Sequence, residues 1–148
     1  MVMMLRMILS RTVVVALCVA LASCGGTDEP KGPGYTPISD KVLFTQIAAI
    51  PGVTKVDIEY VDTFENSNGY IGTVDVRTGA DAVGVLDQVL AILRQGRWRA
   101  GMQVVVLQGG RQISTSALGL NAPTDRRLTE RYGPQPGNGT PPESPETP

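Results

Sequence analysis

Five carboxylates crowd one stretch of this chain: Asp57, Glu59, Asp62, Glu65 and Asp75. Such a run could hold Ca²⁺, since a hard cation takes several oxygen ligands, or supply a general acid/base pair. The spacing argues against calcium. From Asp62 to Asn68, Phe64 stands where the third loop position needs an oxygen, and Ser67 where the sharp turn needs Gly. No helical spacing forces two of these acids together. The expected arrangement is a solvated sheet face on which Asp57 and Glu59 meet Lys55, Arg77 and Thr73 across strands. No metal and no cofactor is expected.

A second group, Arg94, Arg97, Trp98 and Arg99, joins cations to the only Trp of the chain. Arg97, Trp98 and Arg99 could take a phosphate, a glycan or a lipid headgroup, with the indole as stacking platform. Alternatively, the cations complement a helix C-terminus and Trp98 covers the core. Arg126, Arg127 and Arg131 alternate with Asp125 and Glu130, as on an exposed helix face laced with ion pairs. Gly69–Gly72 and Gln108–Arg111 neither open a helix nor end in a phosphate-loop Lys-Ser/Thr. Ser114, Thr115 and Ser116 have no base to activate them. With His absent from all 148 residues, catalytic triads, Cys-His dyads and HExxH zinc sites are excluded. The chain is therefore expected not to be an enzyme, with no catalytic residue. Thirteen Lys+Arg against 14 Asp+Glu, net −1, lack the dense basic face that grips nucleic acid.

The start of the chain places it. Arg6 and Arg11 precede Thr12-Val-Val-Val-Ala-Leu-Cys-Val-Ala-Leu-Ala22, which is too short to cross a bilayer but has the layout of a secretory signal. Leu21, Ala22, Ser23 and Cys24 then resemble the lipobox of bacterial lipoproteins. That resemblance implies cleavage before Cys24, diacylation of its thiol (palmitate being the usual label), and a protein held at the outer face of the cell membrane. Two or three chains hold firmly, because each buried CH₂ contributes about 0.8 kcal/mol. Cys18 would leave with the signal peptide and Cys24 would carry lipid, so no thiol remains for a disulfide or a metal. Losing Arg6 and Arg11 from the 13 cations, against 14 acids, makes the mature chain −3.

Residues 1–23 thus read as signal peptide and 24–37 as a Gly/Pro-rich flexible tether. Residues 38–132 read as the folded domain, and 133–148 as a disordered Pro/Gly-rich tail. Asn138-Gly-Thr140 matches a glycosylation sequon, a modification not expected of a bacterial lipoprotein, which the lipobox resemblance implies.

Inside the domain, Ser39 is the expected N-cap of a first helix with Leu43, Ile47 and Ile50 at helical spacing, widened by Phe44 and Ala48. Pro51-Gly52 ends it. Val56, Ile58 and Tyr60 alternate with Lys55, Asp57 and Glu59, and a second alternation sets Gly72, Val74 and Val76 against Thr73, Asp75 and Arg77. These two strands are expected to form a hairpin. A second helix spans Asp81 to Gln95, with Ala82, Leu86, Val89, Leu90 and Leu93 inward and Gly96 as C-cap. Met102–Leu107 reads as a central strand, Gly109-Gly110 as a turn, and Arg111–Ala117 as a last, edge strand. Pro123 opens a short amphipathic helix to Tyr132.

The order α-β-β-α-β-β plus a terminal helix predicts an α+β two-layer sandwich: an antiparallel sheet with two helices on one face. The helix–Ile50-Pro-Gly-Val53–strand entry resembles small ferredoxin-like and BON-like modules, but no CxxC precedes the first helix as in metal-binding relatives. The expected function is non-enzymatic: an envelope lipoprotein binding another cell-envelope protein through its sheet face or the Arg111–Ala117 edge. The alternative is headgroup binding by a BON-like module through Arg97, Trp98 and Arg99.

Overall fold

The computed structural model describes residues 35–62 and 68–142. The signal motif Leu21–Ser23, Cys24, most of the tether and Glu65 lie outside them.

The described residues fold as α+β, with a four-stranded mixed sheet and three helices: α1 Asp40–Ala48, β1 Val53–Val61, β2 Gly69–Val76, α2 Ala82–Leu93, β3 Gly101–Gln108, β4 Arg111–Ile113 and α3 Asp125–Tyr132. In α1, Leu43 and Ile47 are fully buried and Ile50 follows them into the core, while Ala48 is exposed and does not widen the stripe. Ser39 takes the N-cap backbone conformation without a side-chain cap bond; Asp40 in the first turn faces the positive end of the dipole instead. The exit turn needs Gly52. Its φ is +96°, and a Cβ there would lie 2.8 Å from Ala80 Cβ.

β1 and β2 form the expected antiparallel hairpin, with Asp57 opposite Thr73 and Ile58 opposite Gly72. Beyond it the expectation of an all-antiparallel sheet fails. β2 and β3 run parallel, Val74 beside Val106, in the order β1-β2-β3-β4. The reason is α2. Twelve helical residues cover about 18 Å, enough to return the chain to the end where β2 began, so the next strand starts in the same direction.

α2 is buried on almost every side, as its excess of apolar positions implied. Asp81 caps it, its carboxylate accepting the Gly84 N–H at 2.9 Å. The helix ends at Leu93 with Arg94 as C-cap, rather than at Gln95 with Gly96. α1 packs on β1, α2 on β3, and the two helices touch each other. Between them lie Tyr70, Val74, Met102, Val104 and Val106.

The last strand is shorter than its alternation suggested. β4 stops at Ile113, and Thr115–Leu118 coil into a 3-10 turn closed by Gly119. Ser114 and Ser116 hydroxyls bond each other at 2.7 Å, and the turn delivers Leu120 to the core. Burial of Leu120 outweighs four more residues of polar edge pairing. Pro123 lies before α3 rather than at its first position: Thr124 is the N-cap, accepting the Arg127 N–H at 3.4 Å.

Candidate binding surfaces

The three residues singled out for headgroup binding are placed side by side in the turn between α2 and β3, and two are tied inward. The Arg97 guanidinium donates to Asp40 Oδ2 through Nη2 at 2.8 Å and Nε at 3.3 Å, and its centre lies 3.9 Å over the Tyr60 ring. Trp98 packs against Tyr35, centroids 5.7 Å apart. Arg99 is exposed, its Nε 3.4 Å from Asp125 Oδ2, and its backbone adopts φ +54°. That left-handed turn is held by Gln135, whose Oε1 accepts the Arg99 N–H at 2.7 Å.

Beneath Arg97 sits Tyr70, fully buried. Its hydroxyl donates to Asp40 Oδ1 at 2.9 Å and accepts the Arg97 N–H at 3.2 Å. Burial, reinforced by Asp40, holds the phenol above its ordinary pKa, although the Arg97 N–H pulls the other way. Asp40, Tyr70 and Arg97 therefore join α1, β2 and the turn after α2 in one hydrogen-bonded unit.

Two acid–base pairs went unread in the sequence. Arg94 is buried and binds Asp125 at 3.0 Å, Thr129 Oγ1 at 3.0 Å and Gly133 O at 3.1 Å. Asp87, also buried, takes Arg131 Nε at 2.8 Å, Nη2 at 2.6 Å and the Tyr132 hydroxyl at 2.6 Å. Asp87 raises the Arg131 pKa, while burial first and Asp87 second raise that of Tyr132. Arg131 is thus a clamp rather than part of a solvated face. The available signal was Asp87 itself, one acid inside an apolar helix, which has to find a cation.

Residues past Tyr132 also touch the domain. Gln135 Nε2 donates to Arg94 O at 2.9 Å and Arg97 O at 3.2 Å. At the other end Tyr35, placed by its composition in the tether, is buried, its hydroxyl bonded to Gln95 O at 2.7 Å and to Gly96 O.

On the strand positions alternate to the core, Lys55, Asp57 and Glu59 of β1 are exposed. Lys55 Nζ meets Asp57 Oδ2 at 3.0 Å, which raises the Lys55 pKa. Asp57 stands beside Thr73, which has Val105 on its other side, and Glu59 beside Ile71, which has Gln103 on its other side. A shallow depression of about 330 Å³ opens here, lined by Asp57, Glu59, Ile71, Gly72 and Thr73. Among the described residues no three His, Cys, Asp or Glu converge as metal ligands, and no helix is long and apolar enough to cross a membrane. β1 itself is an edge strand of nine residues, against three in β4. The last strand is an edge as expected, but only over Arg111–Ile113, and the longer edge is β1.

No protein-family description, no curated protein and no solved structure matches this chain.

Proposed function

We propose that this chain is an exported lipoprotein, fastened through lipid on Cys24 to the outer face of the cell membrane, whose α+β module holds another cell-envelope protein without catalysis. In this reading α1 and α2 form one layer of a two-layer sandwich, and the other face of the sheet is left to the partner. The motif Leu21-Ala22-Ser23-Cys24 behind a basic, then apolar, leader supports the anchor. The observation that carries the binding role is the β1 edge: nine residues with one neighbouring strand among the described residues and an exposed, charged face. Headgroup binding through Arg97, Trp98 and Arg99 is less well supported, because Arg97 and Arg99 are already matched by Asp40 and Asp125.

Two measurements in cells test this. Labelled palmitate should enter the protein and be lost in Cys24→Ala. A photocrosslinking residue at Glu59 should give one dominant protein adduct, absent when the same residue replaces exposed Lys41 on α1. Full-length, unlabelled protein in the cytosol, or identical adducts from both positions, overturns the reading.

A further inference from the structure

The outer side of β1 presents backbone donors and acceptors with no neighbouring strand among the described residues, a template for strand addition. Its two faces differ in chemistry. On one, Lys55, Asp57 and Glu59 are exposed and Asp75 stands opposite Lys55, so carboxylates outnumber cations three to one. On the other, Val56, Ile58 and Tyr60 pack on the core, with Val56 and Tyr60 only half-buried. An added strand would extend both rows.

A second copy of this chain fits poorly in the register that pairs the most residues. The register is irregular between Val53 and Lys55, which leaves Lys55–Val61 as the regular part. Two copies pairing antiparallel about its middle, Ile58, would set Asp57 against Glu59 twice. Pairing about Asp57 would set that carboxylate against itself, with Lys55 facing Glu59 on either side of it. Like charges directly opposite destabilise a strand pair, so the acids disfavour the register in which two copies would pair along the whole regular strand.

We infer that β1 captures an extended segment of another protein in which Lys or Arg alternates with apolar residues. The cations would lie beside Asp57 and Glu59, and the apolar side chains would continue the row Val56, Ile58, Tyr60. Main-chain bonds would supply affinity, and the alternating charges would select the partner and its register. The inference rests on the edge-binding reading above and adds the partner's chemistry.

The test uses the full chain in detergent and three peptides about seven residues long. One alternates Lys and Val, one alternates Glu and Val, and one is the Lys-Val peptide N-methylated on alternate amides. The Lys-Val peptide should bind at least about tenfold more tightly than the Glu-Val peptide. It should also slow amide exchange along β1, and N-methylation should abolish its binding. Asp57→Lys with Glu59→Lys, both exposed positions, should reverse the preference. Binding that survives N-methylation reduces the effect to bulk charge and overturns the inference. So does β1 protection that grows with protein concentration in the absence of peptide, which would mark a second copy as the occupant. Equal protection by the Lys and Glu peptides, with the adduct from position 59 retained in cells, overturns the cationic partner while edge binding stands. No protection by any peptide and no adduct overturns both.

Discussion

Arg94 and Asp125 meet at 3.0 Å with unequal access to water: the guanidinium side chain is 2% exposed and the carboxylate 36%. The pair joins the C-terminal end of α2 to the first residue of α3, and Asp87 with Arg131 joins the same two helices one level away. α3 buries only Leu128 completely, so its attachment depends on these charges more than on apolar area.

Asp125→Ala should therefore destabilise the fold by about 1–3 kcal/mol, because a buried cation loses its counter-charge while Thr129 and the Gly133 carbonyl still bind it. Arg94→Met, which keeps an apolar stem as far as the Nε position and removes the charge together with the unpartnered buried Nε, should cost less, about 1 kcal/mol. Urea unfolding midpoints of the two variants decide it. The opposite order would show that α3 is held by something else.

Tyr70→Phe removes one hydroxyl that serves both Asp40 and the Arg97 N–H. The expected cost is about 1–2 kcal/mol. Combined with Asp40→Asn in a double-mutant cycle, the coupling should be about 1 kcal/mol, since the two groups share one network. Additive losses would separate them.

Tyr70 and Tyr132 keep their protons in the folded state at pH values where an unfolded tyrosine, pKa 10.0, gives its proton up. The folded pKa is raised, so this stabilisation is complete below about pH 10 and shrinks as pH climbs beyond it. The unfolding midpoint should fall more steeply between about pH 10 and 12 in the parent than in Tyr70→Phe. A parent and variant with parallel alkaline slopes would contradict the assignment.

Gly72 has φ +139°, and a Cβ there would overlap the Asp57 carbonyl oxygen and lie 2.9 Å from Ile58 Cα. Gly72→Ala should cost about 2 kcal/mol or more, because neither β1 nor β2 can yield without breaking their ladder. Amide exchange should quicken along β1 first. Unchanged exchange there, with stability lost elsewhere, would refute the close approach.

Periodicity made α1, β1, β2, α2 and β3 legible, because each buries one clear set of positions: Leu43 and Ile47, Ile58, Val74, Leu86 to Leu93, and Val104 with Val106. Strand direction was not legible. An all-antiparallel sheet leaves out that the helix between β2 and β3 carries the chain back along the sheet. The polar alternation from Arg111 to Ala117 imitated a strand, but a two-residue periodicity contains no term for the burial gained by Leu120 one turn later. The candidate surface was half legible. Alternation shows Asp57 and Glu59 on an exposed sheet face, and β4 is an edge as its polar residues suggest, whereas nothing local marks β1 as the second and longer edge. The partners of Arg94, Arg97 and Arg131 depend on contacts 31 to 57 residues away, which no local pattern encodes.

Tyr35 and Gln135 stand a hundred positions apart, yet both hold carbonyls of residues 94–97. Entry into the domain and departure from it consequently share one corner. A mechanical load transmitted through the leading segment would be borne at that corner rather than across the strands. For the same reason, a circular permutant with its old termini joined by a short linker should keep the whole architecture.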